Sequence, residues 1–276
     1  MSIEKIALHG DHAQRITYFD FLRGVAILMV VAIHTFPGDT TYDNPGGVLT
    51  VVIRQILNCA VPIFLAISGF FLGRKSFPTF RTQFQFWKRQ IPRIYIPCLI
   101  WSVPLFVLAV LRSSHSIVID VAMLFFCGFS VYYFIALIIQ YYLLLPSLNR
   151  LRKLRGGGFL LLTGFISSIC ILIVTYSIAI RGTEFPLLIY AGPFPLWIFF
   201  FALGVYLSDK KRTYSVKLLI PAVIIGLLLQ YLESQYLYQF HGTGYGIKLS
   251  AFIYSSIVIL LLFSKQMETW YNKRAT

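Results

Sequence analysis

The sequence predicts an all-α polytopic membrane protein of about eight transmembrane helices with both termini cytoplasmic. Three observations lead there. The composition is 58% apolar and only 12% charged, against about 25% charged in a soluble domain, and the mean hydropathy is +0.75. Apolar runs of roughly 17–25 residues, long enough to span a bilayer, recur along the whole chain. The basic residues alternate between successive loops, as cytoplasmic and external loops do. Because the runs are continuous, a closed β-barrel is excluded. The composition also excludes a soluble enzyme and a disordered tail. The net charge of +14 then reports topology, so no nucleic-acid partner is expected.

The eight expected spans are residues 18–36, 48–72, 94–111, 131–148, 159–178, 187–207, 216–232 and 247–263. The stretch 117–129 is apolar but short, and it reads as a half-helix or re-entrant piece leading into the fourth span. One set of loops carries Lys5 and Arg15; Arg74, Lys75, Arg81, Lys88, Arg89 and Arg93; Arg150, Arg152, Lys153 and Arg155; Lys210, Lys211, Arg212 and Lys217; then Lys265, Lys273 and Arg274. The alternate loops carry only Arg112, Arg181 and Lys248. That alternation holds across all eight spans and places both ends on the cytoplasmic side. The polar opening, residues 1–15, runs into a span-length segment without a small-residue cleavage signature, so no cleavable signal peptide is expected. Cys59, Cys98, Cys127 and Cys170 lie inside apolar runs and are spaced neither as a disulfide framework nor as a zinc site. They read as packing residues, and no metal is expected.

Ionisable groups inside a span are costly and mark function by default. The first span has three: Asp20, Arg23 and His34. Eleven helical residues rotate Arg23 and His34 about 20° from eclipsed and separate them by roughly 16 Å along the axis. Asp20 is one turn from Arg23 and can pair with it. One stripe thus carries an acid, a guanidinium and an imidazole, although a structural ion pair at the inner interface would also account for Asp20 and Arg23. In the second span Arg54 should lie at the depth of His34, either as a cation behind it or snorkelling outward, with Asn58 one turn on. Residues 77–92 (FPTFRTQFQFWKRQIP) mix aromatics with cations. They fit an interfacial amphipathic helix or a phosphate-binding apron. His115 and Asp120 spell H-x4-D, a chance match on the outer side by this topology.

These residues resemble a known family. The R-x10-H of Arg23 and His34 within FDFLRGVAILMVVAIH resembles the signature first helix of the membrane-bound acyltransferase 3 family, which acylates cell-surface glycans and related acceptors. VPIFLAISGFFLG, which holds Ser68, is similar to the family's second-helix pattern ending in Ser-Gly-Phe. FWKRQIPRIYIP resembles its basic segment before the third helix, with Lys88, Arg89 and Arg93 in the matching positions. YYFIALIIQYYLLLP and FPLWIFFFALGVYL are similar to its later spans. The likeness runs from about Thr17 to Leu207. Members commonly have ten spans. Residues 1–276 are therefore expected to form one acyltransferase-3-like transmembrane domain that lacks the family's C-terminal helices.

The resemblance implies a multi-pass O-acyltransferase of a bacterial inner membrane. The donor would be cytoplasmic acetyl-CoA or another acyl-CoA. The acceptor would be a hydroxyl of a cell-surface polysaccharide or a lipid-linked sugar. His34 and Arg23 would be catalytic; Arg23, Lys88, Arg89 and Arg93 would hold the donor; Asp20, Arg54, Asn58 and Ser68 would support them. The physical chemistry agrees with that division. Guanidinium groups suit phosphates, imidazole accepts a proton near neutral pH, and an extended pantetheine arm is about as long as the Arg23–His34 separation. The rival class is a transporter or flippase whose mid-membrane polar residues line a path for a small polar or glycan substrate.

Overall fold

The computed structural model describes residues 3–35, 42, 45–112, 116–129, 132–181, 187–210, 212–241 and 246–275, with side chains from Thr17 onward in the first stretch. Every regular element among them is helical. They are α1 (Ile3–Thr35), α2 (Pro45–Leu57), α3 (Ala60–Leu72), α4 (Phe80–Leu111), α5 (Ile117–Phe125), α6 (Tyr133–Arg155), α7 (Gly157–Ile180), α8 (Leu187–Ala191), a single 3-10 turn at Phe194–Leu196, α9 (Ile198–Ser208), α10 (Val216–His241), α11 (Leu249–Leu262) and α12 (Lys265–Ala275). The protein is therefore all-α and polytopic. Among the described residues six stretches are long and apolar enough to cross a membrane: Thr17–Thr35, Pro45–Leu72, Phe80–Leu111, Tyr133–Arg155, Gly157–Ile180 and Val216–Phe240. The α11–α12 pair, bent by 56°, makes a seventh if it is one span.

The difference from eight lies in residues 187–207. They do not form one helix but break at Gly192-Pro193-Phe194-Pro195 into α8, the 3-10 turn and α9. Proline supplies no N–H and clashes with the preceding turn, so two of them in three residues end the helix. The freed backbone groups find side-chain partners. Gln140 donates to Gly192 O (2.9 Å) and accepts from Phe194 N (3.0 Å). Tyr141 donates to Phe194 O, Ser167 to Pro195 O and Trp197 to Ala191 O. Irregular backbone at membrane depth is tolerated under that condition. The short piece expected before the fourth span is α5, held by a bond from Tyr95 to Phe125 O (2.8 Å).

Two expected boundaries also move. The basic segment 77–92 and the span after it form one helix, α4, which starts at a Thr79–Thr82 capping box and runs unbroken through Pro92, Pro97 and Pro104. The second span is interrupted at Asn58–Cys59 between α2 and α3, where Pro62 has no N–H to offer the carbonyl four residues back.

The chain divides into two compact units. Met1–Phe71, Ala179–Thr183 and Phe200–Thr276 make one; Leu72–Ile178 and Glu184–Phe199 make the other. In the first, α10 packs on α11 and α2, and α1 packs on α2 and α12. α3 and α9 approach at backbone distance: a methyl group on Gly69 would collide with Phe201 O, and one on Gly204 with Ala66 O. The base of α1 is anchored by Tyr18, which donates to Leu262 O (2.6 Å), and by Phe19, stacked on Phe70 at 4.9 Å and edge-on to Phe263. A buried ion pair, Arg212–Glu268 at 2.6 Å, ties the start of α12 to the same aromatic group, with Arg212 lying over Phe70 and Phe19. In the second unit α4 packs on α5 and α6. There Asn149 donates to Leu72 O and Lys75 O, and Arg152 to Gly73 O, which fixes the chain leading into the basic half of α4.

Candidate functional site

The stripe on α1 is intact. Arg23 and His34 lie on one unbroken helix, so the roughly 16 Å separation set by helical rise holds. Arg23 pairs with Asp20 at 2.5 Å. The pair is not a buried structural one, since the Asp20 side chain is 55% exposed and that of Arg23 35%. The guanidinium lies over the ring of Phe71, 5.0 Å from its centroid, a cation–π contact that holds the group while leaving donors outward. His34 is exposed in the last turn of α1. The Arg54 guanidinium, in the last turn of α2, is close enough to His34 to act on it through space. The structure thus makes these two residues neighbours.

The remaining supporting residues separate. Asn58 turns into the protein, donating to Gln55 Oε1 (3.1 Å) and Gln230 Oε1 (2.9 Å). Ser68 donates back to Phe64 O within its own helix (2.9 Å). Its neighbours carry the physical content of the Ser-Gly-Phe run: Gly69 admits the α9 backbone, and Phe70 stacks with Phe19.

Lys88, Arg89 and Arg93 are all exposed on the basic half of α4, with Arg89 and Arg93 one turn apart on a shared face. Within the same unit Lys75 joins them. Its ammonium sits 4.9 Å from the Phe86 ring, and burial together with the Arg89 charge holds its pKa below the usual lysine value. Two cations that raise each other's energy in this way form a place where an anion is welcome. His115 lies outside the described residues.

Beside the stripe, the structure holds a polar knot that reading the sequence missed. Gln55, Gln230, Ser234 and Lys248 are each fully buried. Lys248 Nζ donates to Gln55 Oε1 (2.5 Å), Gln55 donates to Ser234 (3.1 Å), and Gln230 donates to Gln55 O (3.2 Å). Glu233 accepts from the Ser250 backbone N–H (2.8 Å) and from its hydroxyl. The knot fixes the rotation of α2. With Gln55 bonded toward α10 and α11, the next residue back, Arg54, is turned about 100° away. In the sequence the knot shows only as scattered amides within apolar runs, and Lys248 reads as a loop cation.

A family model described as an acyltransferase domain, that of acyltransferase 3, matches residues 16–275. The chain belongs to the acyltransferase 3 family. No curated protein and no solved structure matches it. The family match covers the α1 stripe, the knot and the basic half of α4. It makes the protein a membrane acyltransferase with several transmembrane helices.

Proposed function

We propose that this acyltransferase moves an acetyl group from cytoplasmic acetyl-CoA to a hydroxyl of a cell-surface polysaccharide or lipid-linked sugar, as a multi-pass protein of a bacterial inner membrane with both termini cytoplasmic. The observation that carries the reading is the α1 stripe. An exposed imidazole and a half-exposed guanidinium share one unbroken helix at the span of a pantetheine arm. Arg23 takes a donor phosphate, since the guanidinium fork matches phosphate oxygens; within the second unit Lys88, Arg89 and Arg93 present the same chemistry to an anionic donor group. Asp20 and Phe71 orient Arg23.

At the other end His34 removes the proton of the acceptor hydroxyl. The resulting oxygen attacks the thioester carbonyl, the C–O bond forms, and the C–S bond breaks. The imidazolium then returns its proton to the leaving CoA thiolate, so the base is regenerated. Arg54, beside His34, offers positive charge to the oxyanion that develops on the carbonyl. The rival transporter reading would have mid-membrane polar residues line a path. Gln55, Asn58 and Gln230 instead bond one another, which favours the transferase.

Purified full chain in lipid nanodiscs, given acetyl-CoA and an extract of lipid-linked sugars, is expected to release free CoA. His34→Ala should reduce that release by about 10²–10⁴-fold, the usual contribution of a general base. Release that is independent of the sugar extract, or unchanged in His34→Ala, contradicts the assignment.

A further inference from the structure

We infer that Tyr42, Tyr231 and Tyr238 form a stacking platform for a pyranose ring of the acceptor, an inference that rests on the proposed sugar-acceptor reading. α10 has 26 residues, about 39 Å of helix, whereas the hydrocarbon core is about 30 Å thick and takes about 20 residues. Counted from Val216, the helix outlasts the bilayer near Gln235. It emerges on the side opposite the basic-rich loops. The sequence there, QYLESQYLYQFH, is amide- and tyrosine-rich and lacks lysine and arginine.

Tyr231 and Tyr238 are seven residues apart and so within about 20° of each other on the helix. Tyr42, from the connection between α1 and α2, meets both edge-on, at 5.8 Å and 68° to Tyr231 and at 5.1 Å and 71° to Tyr238. All three are half-buried. Edge-to-face packing leaves ring faces unstacked, and the C–H face of a pyranose fits such a surface. Gln235 is bonded to the Tyr231 hydroxyl (3.3 Å) and is exposed, so amide and phenol groups stand beside the rings for sugar hydroxyls.

Ser234, within one turn of both helix tyrosines, accepts from Gln55, so the platform stands on the part of α10 that packs against α2. Tyr42 belongs to the connection that leaves the His34 end of α1. An aromatic belt against lipid headgroups is a different arrangement. Tyr236, 56% exposed and about 200° around the helix from Tyr238, fits that belt with Phe240.

The test is saturation-transfer NMR on the full chain in nanodiscs, irradiating tyrosine ring protons in the presence of the methyl glycosides of glucose, galactose, mannose and N-acetylglucosamine. At least one glycoside should receive saturation on its ring protons. Tyr238→Leu should lower that transfer about threefold or more, as expected for a lost aromatic contact. Tyr238→Phe, which keeps the ring and the fold, should retain most of it. Absence of transfer to all four glycosides overturns the platform, as does full transfer in both Tyr238→Leu and Tyr231→Leu. A low-transfer Tyr238→Phe variant that melts like the parent would also overturn it. Acetyl-CoA binding is measured on the same samples. Sugar binding without acetyl-CoA binding would remove the donor half of the proposed function and leave the platform standing.

Discussion

Two polar groups share the first compact unit and differ in almost every physical respect. The α1 stripe of Asp20, Arg23 and His34 is open, with its guanidinium half-exposed and its imidazole exposed. The knot of Gln55, Gln230, Ser234 and Lys248 is fully buried and closed upon itself by hydrogen bonds. In an apolar solvent an exposed ionisable group has no structural reason to persist, whereas a buried and bonded one stabilises a particular packing. The comparison teaches that polarity within a span does not by itself mark chemistry. What separates the two is whether the polar groups stay exposed or are buried among their own partners.

The largest effect that could break this distinction concerns the knot. Lys248→Met removes the donor to Gln55 Oε1 and should destabilise the protein by about 1–3 kcal/mol, read as a lower thermal midpoint in nanodiscs. CoA release per folded molecule should stay near that of the parent. A normal midpoint with lost release would move Lys248 from the packing to the chemistry.

Next in size is Arg23. Arg23→Ala should weaken acetyl-CoA binding roughly tenfold, the scale of one charge-assisted contact of about 1.4 kcal/mol, without shifting the midpoint. Arg23→Lys should recover only part, because an ammonium lacks the fork. Complete recovery would mean that charge alone matters and that the seat over Phe71 is incidental.

The smallest perturbation is a label. A cysteine at Ser76 should resist an impermeant thiol reagent in intact spheroplasts, while one at Thr40 should react. Reversed labelling would put Arg89 and Arg93 on the wrong side for a cytoplasmic donor, and the transporter reading would then move ahead.

The sequence disclosed the open group and hid the closed one for the same reason. Asp20, Arg23 and His34 stand out because charge within an apolar run is conspicuous, and their shared face follows from helical geometry. Gln55 and Gln230 are amides in long apolar spans, and they meet across more than 170 residues of chain. Lys248 reads as an outer-loop cation because it precedes an apolar run, yet it is buried and bonded to Gln55. The fold class and the helical half-piece at α5 were legible in hydropathy. The break in residues 187–207 was not, because proline gives the same signal in two outcomes. α4 carries three prolines without interruption, while Pro193 and Pro195 break their segment, and the decisive difference is the bonding supplied by Gln140 and Tyr141 from elsewhere in the chain.

The separation between exposed and buried polar groups is tested most directly by taking two readings on two variants of the full chain in nanodiscs. CoA release and thermal midpoint are measured for His34→Ala and for Gln55→Leu. The predicted result is a crossed pattern: His34→Ala loses release at an unchanged midpoint, and Gln55→Leu loses midpoint while its folded fraction still releases CoA. Loss of stability in His34→Ala with normal release from its folded fraction would contradict the account.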